Sequence, residues 1–228
     1  MIEWSEKMKK GLTLSMIISL ITAIIAVCVI VNTEGEIPIH WNIAGEVDDY
    51  GSALTLLIFP VVSFFTALLL YFLPKIDPKG ENIEKSGPIL PILMVLIALL
   101  MLGIEIIIVM AINGSNILNM MTFISLLFAV LFTVMGYYMP RIKPNYMLGI
   151  RTPWTLYSEK SWVKTHTASK NWFIANGILF LVCMPLSEPY NILIPLLFMA
   201  IVMIGIVVYS YVVYAEEKKE QKDGKKNV

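Results

Sequence analysis

The sequence predicts an all-α membrane protein, a polytopic bundle of about six transmembrane helices with both termini in the cytoplasm. Three observations carry this reading. Hydrophobic residues make up 57% of the chain and charged ones only 15%, with a mean hydropathy of +0.75, outside the range of water-soluble domains. The apolar residues collect in runs of roughly bilayer length, near 11–31, 53–73, 89–112, 118–139, 172–186 and 192–214. Finally, Lys and Arg occupy only every second intervening segment.

Each run is expected to be a helix, because hydrocarbon offers no partner to an unpaired peptide group. The 228 residues then form a single membrane domain with an outer loop at 32–52, an inner motif loop at 140–171 and a charged tail at 215–228. The first run follows Lys7, Lys9 and Lys10 as a signal peptide would, but it is too long and lacks a small-residue cleavage site, so it is kept as a span. The fifth is short and interrupted by Asn176, Gly177 and Pro185; tilt or snorkelling of Lys170 would let it cross. The tail from Glu216 onward reads as solvated and disordered.

Charge orients these runs. All 17 basic residues fall before the first run, between the second and third, between the fourth and fifth, or after the sixth. The alternate segments carry only acidic charge, as Glu34, Glu36, Glu46, Asp48, Asp49 and Glu188. By the positive-inside rule the basic segments are cytoplasmic. The net charge of zero gives no sign of direct nucleic-acid binding. An internal echo, Tyr71-Phe72-Leu73-Pro74-Lys75-Ile76-Asp77-Pro78 against Tyr137-Tyr138-Met139-Pro140-Arg141-Ile142-Lys143-Pro144, fits either a duplicated helix pair or shared interface chemistry.

Two polar segments stand out. In the outer one Ile37, Ile39, Trp41 and Ile43 alternate with Pro38, His40, Asn42 and Ala44 before Gly45, the pattern of a half-buried strand. It offers either an edge and acidic patch to a peptide or an interfacial loop anchored by Trp41. In the inner one, Pro153 restricts Thr152 to extended geometry, and Ser158 suits the N-cap of a helix bearing Trp162, His166, Lys170 and Phe173 along the headgroups. Arg151 can grip a phosphate or carboxylate, making this loop either a docking surface or a lipid anchor.

Asn145, Gly149-Ile150-Arg151-Thr152-Pro153-Trp154-Thr155-Leu156, Ser158-Glu159, Trp162 and Thr165-His166 resemble the signature of the SdpI family of bacterial and archaeal membrane proteins. Pro38, His40, Trp41, Asn42, Gly45 and Asp48 are similar to the small domain that precedes this signature in longer members. Many members follow the Thr-His pair with Arg, where this chain has Thr167. The resemblance implies a cell-membrane protein giving immunity to a secreted antimicrobial peptide toxin. It also implies signalling, in which the toxin-occupied protein holds a cytoplasmic transcriptional repressor at the membrane. The implied partners are membrane lipids, a peptide toxin on the outer loop and that repressor on the inner motif, with no cofactor.

Enzyme chemistry finds little footing. His40 and His166 fall on opposite sides, so they cannot share a metal or a proton. Cys28 and Cys183 read as buried apolar residues, and no nucleotide-loop, nucleophile-elbow or zinc motif occurs. Glu105, inside the third run, is the intramembrane polar residue. It fits either a proton or cation site of a small transporter or channel, with Asn113, Thr122 or Ser125 as neighbours, or a neutral group that glues helices.

Overall fold

The computed structural model describes residues 2–115 and 119–226. Leu118, where the fourth run was expected to begin, and the last two residues of the tail lie outside them. The elements run α1 (Ile2–Asn32), β1 (Glu36–Trp41), β2 (Val47–Ser52), a 3-10 turn (Ala53–Leu57), α2 (Ile58–Ile76), α3 (Gly80–Lys85) and α4 (Ile89–Ile112). After these come α5 (Met120–Tyr138), α6 (Pro153–Tyr157), α7 (Glu159–Cys183) and α8 (Tyr190–Lys226).

The helices pack in two groups. In the first, α1 lies against α2 and α4; in the second, α7 lies against α5 and α8, and α4 meets α5 between them. The packing is inverted relative to a water-soluble bundle. Leu20, Ile24, Val31, Phe65, Ile201 and Ile204 face outward, whereas Ser15, Ser19, Thr22 and Ala26 of α1 are buried. Spacings of four, three and four residues put these small side chains on one face, where they let backbones approach. The hydroxyls stay satisfied: Ser19 and Thr22 donate to carbonyls four residues back, and the Ser19 and Ser63 hydroxyls lie 2.6 Å apart between α1 and α2.

Among the described residues five helices are long and apolar enough to cross a membrane: α1, α2 with its 3-10 turn, α4, α5 and α8. The fifth apolar run is the C-terminal part of α7, whose N-terminal part is polar. α7 nevertheless runs the height of the bundle. It begins beside the inner motif loop, and the turn that follows it brings Glu188 to Asn119 at the start of α5, where the Asn119 amide donates to the Glu188 carboxylate at 3.3 Å. Two glycines allow close contact of α7 with α5. A Cβ on Gly177 would meet the Ala129 carbonyl at 2.7 Å, and one on Gly136 would meet that of Lys170 at 2.8 Å.

Several expectations are corrected. The tail is helical through Lys226 rather than disordered, because α8 continues past the apolar run and its polar turns find partners: Lys160 donates to Glu220 at 2.5 Å, and Ser158 bonds Glu217. The α7 face bearing Trp162, His166 and Phe173 is buried in the protein and does not lie along headgroups. Cys183 is buried, but Cys28 is exposed on the outward side of α1.

Replacing Gly177 by Val is expected to separate α5 from α7 and to cost on the order of 1–3 kcal/mol. A drop in the melting temperature of the detergent-purified protein would show it. Unchanged melting would contradict this packing.

Candidate functional site

The residues singled out in the sequence gather at the two ends of the bundle. At one end, the loop from Ile142 to Thr152 has irregular backbone whose polar groups need partners. Asn145 organises its first turn: Oδ1 accepts from the N–H groups of Met147 (2.9 Å) and Leu148 (2.6 Å), and Nδ2 donates to the Lys143 carbonyl at 2.7 Å. The loop is then tied to the α2–α3 connection. Asp77 accepts from the Tyr146 N–H at 2.8 Å and from the Lys79 N–H at 2.6 Å. The Asn82 amide donates to the Pro144 carbonyl at 2.6 Å, and the Lys143 N–H to the Ser86 hydroxyl at 2.9 Å.

Gly149 follows, with φ +105°, a conformation that favours glycine. A Cβ there would stand 2.4 Å from Nε2 of His166. This approach lets the Ile150 N–H donate to Nε2 at 3.0 Å, while Nδ1–H donates to the Trp162 carbonyl at 2.8 Å. An N–H pointing at Nε2 requires its lone pair, so the neutral Nδ1–H tautomer is the one that fits. Trp162 stacks on the imidazole at 4.2 Å and donates its indole N–H to the Ile142 carbonyl at 2.7 Å. His166 lies in the polar part of α7, before the apolar run, and is 1% exposed. Burial lowers its pKa from 6.5 to about 4, against the opposing pull of the Trp162 carbonyl.

The remainder of the motif fastens the loop to α8. Thr152 is extended, as expected before Pro153, and forms a reciprocal cap with Thr155 at the start of α6. Thr155 also donates to the Ile150 carbonyl at 2.8 Å. The Thr152 and Ser210 hydroxyls are 3.0 Å apart, Ser161 donates to the Ser210 carbonyl at 2.8 Å, and Trp154 packs edge-on against Tyr211. Ser158 is the expected N-cap of α7, accepting from the Ser161 N–H at 2.9 Å, and Glu159 sits in the first turn, where the helix dipole favours a carboxylate. Arg151 is exposed; its Nη1 donates to the Tyr146 carbonyl at 2.5 Å, and it has no carboxylate partner among the described residues. The sequence reading missed Asp77, Asn82, Ser86 and Ser210. Only Asp77 had a signal, within the echo.

At the other end β1 and β2 form an antiparallel hairpin. Asn42 closes its turn, Oδ1 accepting from the N–H groups of Ala44 (2.9 Å) and Glu46 (3.0 Å), and Gly45 takes φ +74°. Pro38 is buried and Trp41 half-buried, whereas His40 and Asp48 are exposed and paired at 2.5 Å. Ile37 is buried as the alternation predicts. Ile39 instead faces outward, since the register is irregular between Pro38 and His40 and again before Trp41, and Ile43 is exposed in the turn beyond β1. A cleft of about 550 Å³ separates the hairpin from the ends of α4 and α5, with Glu34, Glu36, Glu46, Trp41 and Tyr50 on its walls.

Glu105 is fully buried, and neither carboxyl oxygen has a partner among the described residues. It shares a face with Ala98 and Met94, and Met94 packs with Met8 of α1 and Ala67 of α2. Gly103, two positions earlier, is the residue set against Phe123 of α5. By helical phase Glu105 lies on the side of α4 roughly opposite Gly103. Among the described residues no three His, Cys, Asp or Glu side chains come together as a metal site.

This architecture defines a multi-pass helical cell-membrane protein with a buried signature loop at one end and a hairpin at the other. Residues 141–212 match the SdpI/YfhL protein family, and residues 17–64 match a domain of unknown function, DUF1648. The chain is thus similar to the SdpI/YfhL family across its signature loop, α6, α7 and most of α8. It is also 24% identical over 211 residues to Immunity protein SdpI of Bacillus subtilis (strain 168), covering 91% of this chain and 97% of that one. No solved structure matches it.

Protonating His166 would put a second N–H against that of Ile150. The folded pKa lies below the ordinary value, so the unfolded chain binds more protons between them. The stability contributed by neutral His166 is therefore complete above about pH 6.5 and is lost progressively as pH falls toward about 4. Thermal melts of wild type and His166→Phe should show this slope in the wild type only.

Proposed function

We propose that this chain is a membrane immunity protein against a secreted antimicrobial peptide toxin, oriented with the hairpin outside and both termini in the cytoplasm. The observation that carries the reading is the similarity to an immunity protein through nearly the whole of both chains. The orientation is supported by the one-sided distribution of Lys and Arg. The toxin is received at the hairpin cleft, whose carboxylates and aromatic rings suit a cationic, amphipathic peptide. Of the hairpin residues, Trp41 lines the cleft, His40 and Asp48 form an exposed pair on the hairpin, and Pro38, Asn42 and Gly45 hold the shape.

A cytoplasmic repressor docks on the exposed parts of the opposite end, where Arg151, Pro153 and Glu159 face out, while Asn145, Gly149, Thr152, Thr155, Trp162 and His166 hold the surface rigid from within. Glu105 supports a second reading as a small transporter or channel, since a buried carboxyl without partners is costly in hydrocarbon. That reading requires proton or cation flux abolished by Glu105→Gln.

Expressed in a strain sensitive to a related toxin, the wild type is expected to raise survival well above the empty vector. Trp41→Ala and Glu46→Lys should lower it at equal membrane abundance. Survival at the vector level for every related peptide would refute immunity, and a repressor that stays diffuse when toxin is added would refute the relay.

A further inference from the structure

Below the signature loop lies a cavity of about 340 Å³, bounded by Leu93 of α4, Met135 of α5, Phe173 of α7, and Met203 and Val207 of α8. Gly149, Ile150, Arg151 and Thr152 form its rim. The cavity sits where the two helix groups face each other. Its walls are aliphatic, aromatic and thioether groups, so water would find few polar partners inside, while an empty space of this size leaves its lining without dispersion contacts. At the rim stands Arg151, whose guanidinium spends one donor on the Tyr146 carbonyl and has no carboxylate partner among the described residues.

An apolar chamber at a helix end with an unpaired guanidinium at its mouth matches an amphiphile that has one flexible hydrocarbon chain and an anionic head. In a bilayer that amphiphile is an anionic phospholipid. We propose that this cavity is a binding site for an anionic phospholipid, one acyl chain entering between α4 and α8 and the phosphate meeting Arg151. The loop supplies the fit: His166 holds Ile150 and the Thr152–Thr155 cap holds the following turn, so the rim is rigid before the lipid arrives. The bound chain fills the seam between the helix groups and thereby ties the loop to both. This site stands independently of the toxin reading, since nothing in it draws on the hairpin.

Native mass spectrometry of the full-length, detergent-purified protein tests it, with phosphatidylglycerol and phosphatidylcholine as probes. One phosphatidylglycerol should survive delipidation and be favoured at least tenfold over phosphatidylcholine. Arg151→Gln should remove that preference, and Met203→Trp, which fills the chamber, should lower retention of both lipids; unchanged circular dichroism would show that each variant folds. Equal retention of the two lipids by the wild type overturns the proposal. So does phosphatidylglycerol retention that is untouched by Met203→Trp, because the lipid would then sit on the surface and not in the cavity.

Discussion

The hydrogen bond from the Ile150 N–H to Nε2 of His166 is the contact on which the signature end of the molecule is built. A stretch of irregular backbone next to a bilayer must pair its polar groups internally, and here one buried imidazole on α7 reaches up to do so. Its geometry dictates the neighbours. Gly149 must lack a Cβ for the ring to approach, Trp162 must present its carbonyl to Nδ1 and its ring to the imidazole face, and Thr155 must take up the Ile150 carbonyl of the next peptide unit. The motif is thus a connected set of buried partners with Arg151 as its exposed cation.

From this lock the contacts spread through the structure. Asp77, Asn82 and Ser86 bind the loop to the α2–α3 connection, so the first helix group is joined to the second through hydrogen bonds at that end. Ser210 and Glu217 bind it to α8, which explains why that helix stays ordered beyond its apolar stretch. At the opposite end Glu188 reaches Asn119, and a Cβ on Gly45 would collide with its carboxylate, so the hairpin tip leans on the turn between α7 and α8. α7 therefore touches both specialised ends. Its N-terminal part is polar because it supplies Ser161, Trp162 and His166 to the loop and to α8.

Much of this was legible in the sequence. Apolar runs and the placement of Lys and Arg gave the helices and the separation of His40 from His166, and Pro153 and Ser158 marked the caps that the structure contains. What escaped had physical causes. Period-2 alternation assumes a regular ladder, and the irregular register around His40 turns Ile39 outward. The tail looked disordered because charge was counted without the partners that Ser158 and Lys160 supply across 59 and 60 residues. The motif residues looked available for ligands because a sequence cannot show that Trp162 and His166 consume their polar atoms on each other and on the loop.

Amide hydrogen exchange across the signature loop measures the lock itself. In the wild type, the Ile150 amide should exchange as slowly as the interior amides of α7, and His166→Ala should speed it by orders of magnitude while leaving the hairpin unchanged. An Ile150 amide that already exchanges in the wild type as fast as the exposed hairpin tip would contradict the account.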